Sequence, residues 1–135
     1  MKRALFLLLA GYLTVYSDIL VVVSKDSMVE TLDKHTVQRI FLNKTRSFPN
    51  GERAEAIEGV PSELKQDFYR LVADKSKTQL RSYWAKQVFT GKGKPPKQMN
   101  SDDLVIYIAQ NPDAISYISV EQLSDSLKVV FKLKQ

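Results

Sequence analysis

The side chains able to do chemistry in this chain are few and far apart. His35 is its single histidine, and it has no cysteine. Without Cys there is no thiolate nucleophile, no disulfide framework and no Cys-ligated metal. His35 reads either as a general base or as a polar residue near a helix start. No Ser-His-Asp arrangement or second His surrounds it, so the polar role is the expectation. HExxH and EF-hand spacings are absent, and neither a metal nor a cofactor is expected. Gly91-Lys92-Gly93-Lys94 has the composition of a phosphate loop. It lacks the Gly-x4-Gly-Lys-Ser/Thr spacing, and Pro95-Pro96 forbids the helix whose N-terminus would hold phosphates, so an exposed loop is expected. The carboxylates are scattered, Asp102 and Asp103 reading as helix-start charges. No catalytic residues are assigned, and the chain is not expected to be an enzyme.

Two hydroxyls remain. Ser24 follows a strand and Ser62 stands at the opening of a helix, where free backbone N–H groups bind anions without side-chain charge. They are the candidate anion-binding residues, the plainer role of Ser62 being to cap its helix. Lys92, Lys94 and Lys97 beside Phe89 have the composition of a nucleic-acid patch, and Tyr83-Trp84 that of a stacking platform. At helical spacing beside Leu80, however, the aromatics read as core, with Phe89 closing the same apolar face. No nucleic acid is expected.

The elements that must position these residues follow from hydropathy. Asp18–Ser24 (DILVVVS) is a β-branched run suited to a strand covered on both faces. Leu32–Lys44 carries Val37, Ile40 and Phe41 at helical spacing. Arg46–Arg53 is a turn and Ala54–Glu58 a short strand. Pro61 opens a second helix with Leu64, Phe68, Leu71 and Val72 on one face. Ser76 and Gln79 form a capping box for a third, whose buried face is Leu80, Tyr83, Trp84 and Val88. Thr90–Lys97 is a loop. Ser101 caps a fourth helix with Leu104, Val105, Ile108 and Ala109 inward, and Pro112 ends it. Ala114–Val120 is a strand. Leu127–Leu133 alternates, with Leu127, Val129, Phe131 and Leu133 on the dry face of an edge strand. The order β-α-β-α-α-α-β-β describes one α/β domain.

At 135 residues the chain is the size of one domain. Its amino terminus has the order of a signal peptide: basic Lys2-Arg3, apolar Ala4–Leu13, then Val15 and Ser17 at the cleavage positions. The apolar stretch falls well short of the roughly 20 residues a membrane span needs. Cleavage near Ser17/Asp18 is expected, with residues 1–17 as leader and 18–135 as the single mature domain; an uncleaved anchor is the alternative. No Cys stands at a lipidation site, and removal of Lys2 and Arg3 reduces the net charge from +5 to +3. That is too little for a phosphate-backbone reader.

Three segments resemble the phosphate-binding periplasmic protein family, the substrate-binding subunits of phosphate ABC transporters. Val37-Gln38-Arg39-Ile40-Phe41-Leu42-Asn43-Lys44 is similar to that family's IFLGK helix end. Tyr83-Trp84 followed by Phe89-Thr90-Gly91-Lys92-Gly93 is the second. Asn111-Pro112-Asp113-Ala114-Ile115-Ser116-Tyr117-Ile118 is similar to its PGAIGYV. The resemblance runs from about Leu32 to Val120, little more than one of the family's two lobes. The family's anion-cradling Arg-Ser-Asp-Gly-Ser-Gly-Thr-like segment falls near Glu58–Lys65. There only Ser62 matches a phosphate-binding hydroxyl, no Arg is present, and Glu58 and Glu63 would repel an anion.

The resemblance implies a single periplasmic-binding-protein-like α/β lobe, a mixed sheet flanked by about four helices. It implies a periplasmic or secreted, non-enzymatic domain that binds phosphate or another small anion in connection with uptake. A lone lobe needs a homodimer partner, or a periplasmic or membrane protein, to bury such a ligand. The alternative is a protein-interaction module that keeps the lobe and has lost the ligand.

Overall fold

The computed structural model describes residues 18–60 and 62–135. The expected leader, residues 1–17, and Pro61 lie outside them; the helix expected to open at Pro61 begins only at Lys65, after non-helical residues 62–64. Among the described residues five strands form one mixed sheet: β1 (Ile19–Ser24), β2 (Glu55–Val60), β3 (Lys97–Asn100), β4 (Ala114–Ser119) and β5 (Leu127–Leu133), in the order β3-β2-β4-β1-β5. β1 runs antiparallel to β4 and β5, while β2 is parallel to β3 and β4. Four helices flank it: α1 (Lys34–Phe41), α2 (Lys65–Ala73), α3 (Lys77–Phe89) and α4 (Ser101–Gln110). This is the single α/β lobe expected. The described residues supply a five-stranded sheet, the helical layers on both of its faces and a buried apolar cluster on each, so residues 18–135 carry a core of their own.

Every residue of β1 is buried, as its unbroken apolar run demands. Side chains alternate between faces. Ile19, Val21 and Val23 join Val37, Phe41, Phe68, Tyr69, Leu80 and Trp84, the layer of α1, α2 and α3. Leu20 and Val22 join Leu104 and Ile108 of α4 on the other face. At the centre of the first layer Phe68 stacks on Tyr117, ring centroids 3.9 Å apart, and meets Phe41 edge-on at 4.9 Å.

The capping box at α3 is present as its spacing requires. Gln79 N–H donates to Ser76 Oγ at 3.2 Å, and Ser76 N–H to Gln79 Oε1 at 2.8 Å. Asn43, which stands where the resembling motif has Gly, adopts φ 56° just beyond α1. Asn and Gly are the residues that tolerate that left-handed backbone.

Four further expectations fail locally. The strand β3 was not visible, because its sequence, KQMN, contains a single apolar residue; an edge strand packed mainly through its backbone carries no hydrophobic alternation. The cap of α4 is Asn100, whose Oδ1 accepts from Asp102 N–H at 2.8 Å, and Ser101 is already helical. In β5 the alternation slips. Val21 pairs with Phe131 but Val22 with Val129, leaving Val130 as a bulge. Val130 and Leu133 therefore point to the α1–α3 layer, Leu127 to the α4 layer, and Val129 is exposed. Finally, Val88 is 58% and Phe89 92% exposed. At 100° per residue Phe89 lies nearly opposite the inward face of Leu80 and Trp84, so it does not close the core.

Candidate functional site

Ser24 and Ser62 stand at opposite ends of the sheet. Ser24 ends β1, which runs antiparallel to β4; Ser62 follows β2, which runs parallel to β4. Their hydroxyls therefore do not converge. Ser24 is fully buried, its Oγ donating to the Ala109 carbonyl at 3.0 Å and accepting from Asp26 N–H at 3.1 Å. Ser62 is partly exposed, and its Oγ accepts from Leu64 N–H at 3.2 Å, turning the chain into α2.

Two concavities meet at Ser62. One, of about 490 Å³, lies between α2 and the start of α3 and is lined by Ser62, Lys65, Lys75, Lys77, Arg81 and Trp84 among others. Among the described residues its lining has four cations and no carboxylate. The other, of about 330 Å³, lies at the carboxyl ends of β2 and β4, where Glu63 and Glu121 line it with Ser62, Ser101, Tyr117 and Ser119. Among the described residues its lining has two carboxylates and no cation. Coulombic attraction directs an anion to the first. Lys77 and Arg81 make no ion pair among the described residues, so their charge is available there. The Lys75 ammonium sits 5.1 Å from the Tyr83 ring centre, a contact that fixes it near the cleft.

Behind Ser62 is a buried acidic group. Glu58 is 1% exposed. Tyr117 Oη donates to its Oε2 at 2.6 Å, and Lys65 Nζ lies 3.7 Å from Oε1, which accepts no hydrogen bond among the described residues. The Tyr69 hydroxyl is buried beside this group and likewise has no hydrogen bond among the described residues. Burial and then the nearby Glu58 charge push the Tyr69 and Tyr117 phenols well above their usual range. Lys65 thus serves two neighbours, the cleft and Glu58.

The remaining candidates have structural surroundings. Tyr83 Oη donates to the Leu42 carbonyl at 2.7 Å, and Trp84 is buried, so this pair packs α3 rather than offering a stacking face. His35 is exposed in the first turn of α1. Gly91-Lys92-Gly93-Lys94 is a loop. Sequence reasoning missed Lys75, Lys77 and Arg81 as a group, although one signal was present: from Lys75 to Ser101 the chain has seven Lys and Arg and no Asp or Glu.

No family model matches the sequence, and no curated protein matches it. Solved structures do match in fold. A putative phosphate ABC transporter substrate-binding protein with bound phosphate from Clostridium perfringens is similar at a TM-score of 0.65 and 16% identity, over 84% of this chain and 45% of that one. PstS from Borrelia burgdorferi is similar at 0.61 and 9% identity, over 87% of this chain and 48% of that one. A possible phosphate binding protein from Planctomyces limnophilus is similar at 0.57 and 14%, over 96% and 48%. The chain spans just under half the length of these proteins. At such identities the likeness concerns the fold alone.

Proposed function

We propose that this lobe is an exported, non-enzymatic domain that binds a small anion of the phosphate type beside Ser62. One observation carries the reading: Lys65, Lys75, Lys77 and Arg81 line a single concavity with Ser62 and without a carboxylate. The Ser62 hydroxyl supplies a neutral donor, and the lysines and Arg81 the counter-charge. Ser24, at the other end of the sheet, takes no part. The fold shared with phosphate-transport receptors supports the same class of ligand. A cleft open on one side leaves its ligand partly in water, and a second copy of the chain, or a periplasmic or membrane protein, is the proposed cover.

The second reading, an interaction lobe that has lost its ligand, draws on Glu58. In the segment expected to cradle the anion, a carboxylate is buried and part of the Lys65 charge is turned toward it. Thermal unfolding of residues 18–135 separates the two. With a dissociation constant of about 0.1 mM, 10 mM phosphate stabilises the fold by about 2.7 kcal/mol, and Arg81→Ala or Lys77→Ala reduces the gain. No gain over chloride at equal ionic strength rejects anion binding and leaves the interaction lobe.

A further inference from the structure

We propose that the carboxyl end of α3 and the loop behind it form a docking surface for an anionic lipid bilayer. The inference does not depend on the anion cleft. Its first support is charge segregation. Leaving aside the cations of the cleft, residues 86–101 contain four cations, Lys86, Lys92, Lys94 and Lys97, and no carboxylate, whereas the rest of residues 18–135 has fourteen cations against fifteen carboxylates. Lys86, Lys92 and Lys94 are exposed and make no ion pair among the described residues. The helix dipole favours a cation at Lys86, in the last turn. It does not account for Lys94, five residues beyond the helix.

The second support is apolar. Phe89 is 92% and Val88 58% exposed at the tip of this cationic region. The tip is held in place. Thr90 Oγ1 donates to the Lys86 carbonyl at 2.7 Å, and Lys92 N–H to the Gln87 carbonyl at 2.9 Å. Gly91 takes φ 70° to close this turn. Asn43 Nδ2 donates to the Lys94 carbonyl at 3.3 Å, so the loop is tied to the end of α1. Gly93 allows that tie, since a Cβ there would lie 2.9 Å from Asn43 Nδ2. An exposed aromatic on a hydrogen-bonded turn, with the exposed Lys86, Lys92 and Lys94 within five residues of it in the sequence, matches an anionic interface, where the ring enters the acyl boundary and the ammonium groups meet phosphates. It suits a single-stranded nucleic acid less well, because successive bases need a row of open rings and Tyr83 and Trp84 are packed inward.

The test is flotation of residues 18–135 with vesicles of phosphatidylglycerol and phosphatidylcholine in a one-to-three ratio, against phosphatidylcholine alone. Binding to the anionic vesicles at least tenfold stronger, and weakened by salt, is expected. Phe89→Ser, at an exposed site, reduces binding at least threefold with unchanged unfolding temperature, and Lys92→Glu with Lys94→Glu abolishes it. Inorganic phosphate at 10 mM and matched ionic strength leaves it unchanged. Equal binding to both vesicles, or indifference to either set of substitutions, overturns the proposal. Displacement by phosphate assigns the headgroup to the Ser62 cleft, and preference for a single-stranded oligonucleotide assigns the surface to nucleic acid; each also overturns it.

Discussion

Tyr117 Oη lies 2.6 Å from Glu58 Oε2, a hydrogen bond between neighbouring strands to a carboxylate that is almost completely buried. The Tyr117 ring is also the platform on which Phe68 stacks. One side chain thus joins the aromatic core to the polar end of the sheet, directly behind Ser62. A buried carboxylate is costly unless its acceptors are met, and here one oxygen depends on Tyr117.

Tyr117→Phe keeps the stacked ring and removes the donor. The expected loss is about 1–3 kcal/mol of unfolding free energy, the cost of a buried charged acceptor left unmet. Urea denaturation measures it. Glu58→Gln in the same background recovers part of the loss, because it removes the charge that needed the donor.

Alkaline pH reads the same cluster. Tyr69 and Tyr117 hold their protons in the folded state above the ordinary value of 10.0, and release them on unfolding. Below that value both states are protonated and stability is unaffected by these groups. Above it the folded state binds more protons than the unfolded state, so stability falls as pH rises. Two such groups give a slope of about 2.7 kcal/mol per pH unit. Denaturation between pH 9 and pH 11.5 tests this, and Tyr69→Phe halves the slope.

The bulge in β5 makes a contrast between neighbours. Val130 is 4% exposed and Val129 37%. Val130→Ala is expected to cost about 2 kcal/mol through lost burial and a cavity, and Val129→Ala a few tenths. Equal costs for the two would place the strand in the regular register.

Phe68 and Phe89 give a second contrast. Phe68→Ala removes a ring that packs against Phe41, Tyr69 and Tyr117 and is expected to cost about 3–5 kcal/mol. Phe89→Ala leaves the unfolding midpoint unchanged, since the ring is outside the core.

These contrasts show where the sequence was legible. The β-branched run of β1 and the stripe Val37, Ile40 and Phe41 of α1 announced themselves, because burial on two faces or on one stripe constrains residue type directly. Ser76 and Gln79 did so through a local capping rule. The bulge at Val130 could not be read, because it arises from pairing with β1 and leaves Leu127–Leu133 alternate in sequence. Nor could β3, whose stability comes from backbone pairing with β2. Val88 and Phe89 misled because a helix end can run past the core while keeping apolar residues.

The candidate site was legible only at Ser62. Ser24 looked equivalent in sequence, and the antiparallel course of β1 carries it to the other end of the sheet. Glu58 reads in sequence only as a charge that repels an anion, whereas β2 buries it against Tyr117. Lys65 and Arg81 are 16 residues apart in sequence and become neighbours around one cleft only when α2 and α3 fold back on each other.

The central claim is that the cleft beside Ser62 holds a small anion, and isothermal titration of residues 18–135 with phosphate at low ionic strength tests it most directly. Saturable heat with a dissociation constant of about 0.1 mM, or about −5.5 kcal/mol, is the predicted result. Arg81→Glu should weaken it at least tenfold, and Ser62→Ala should weaken it less. Absence of heat up to 10 mM phosphate, or equal binding by wild type and Arg81→Glu, would contradict the account.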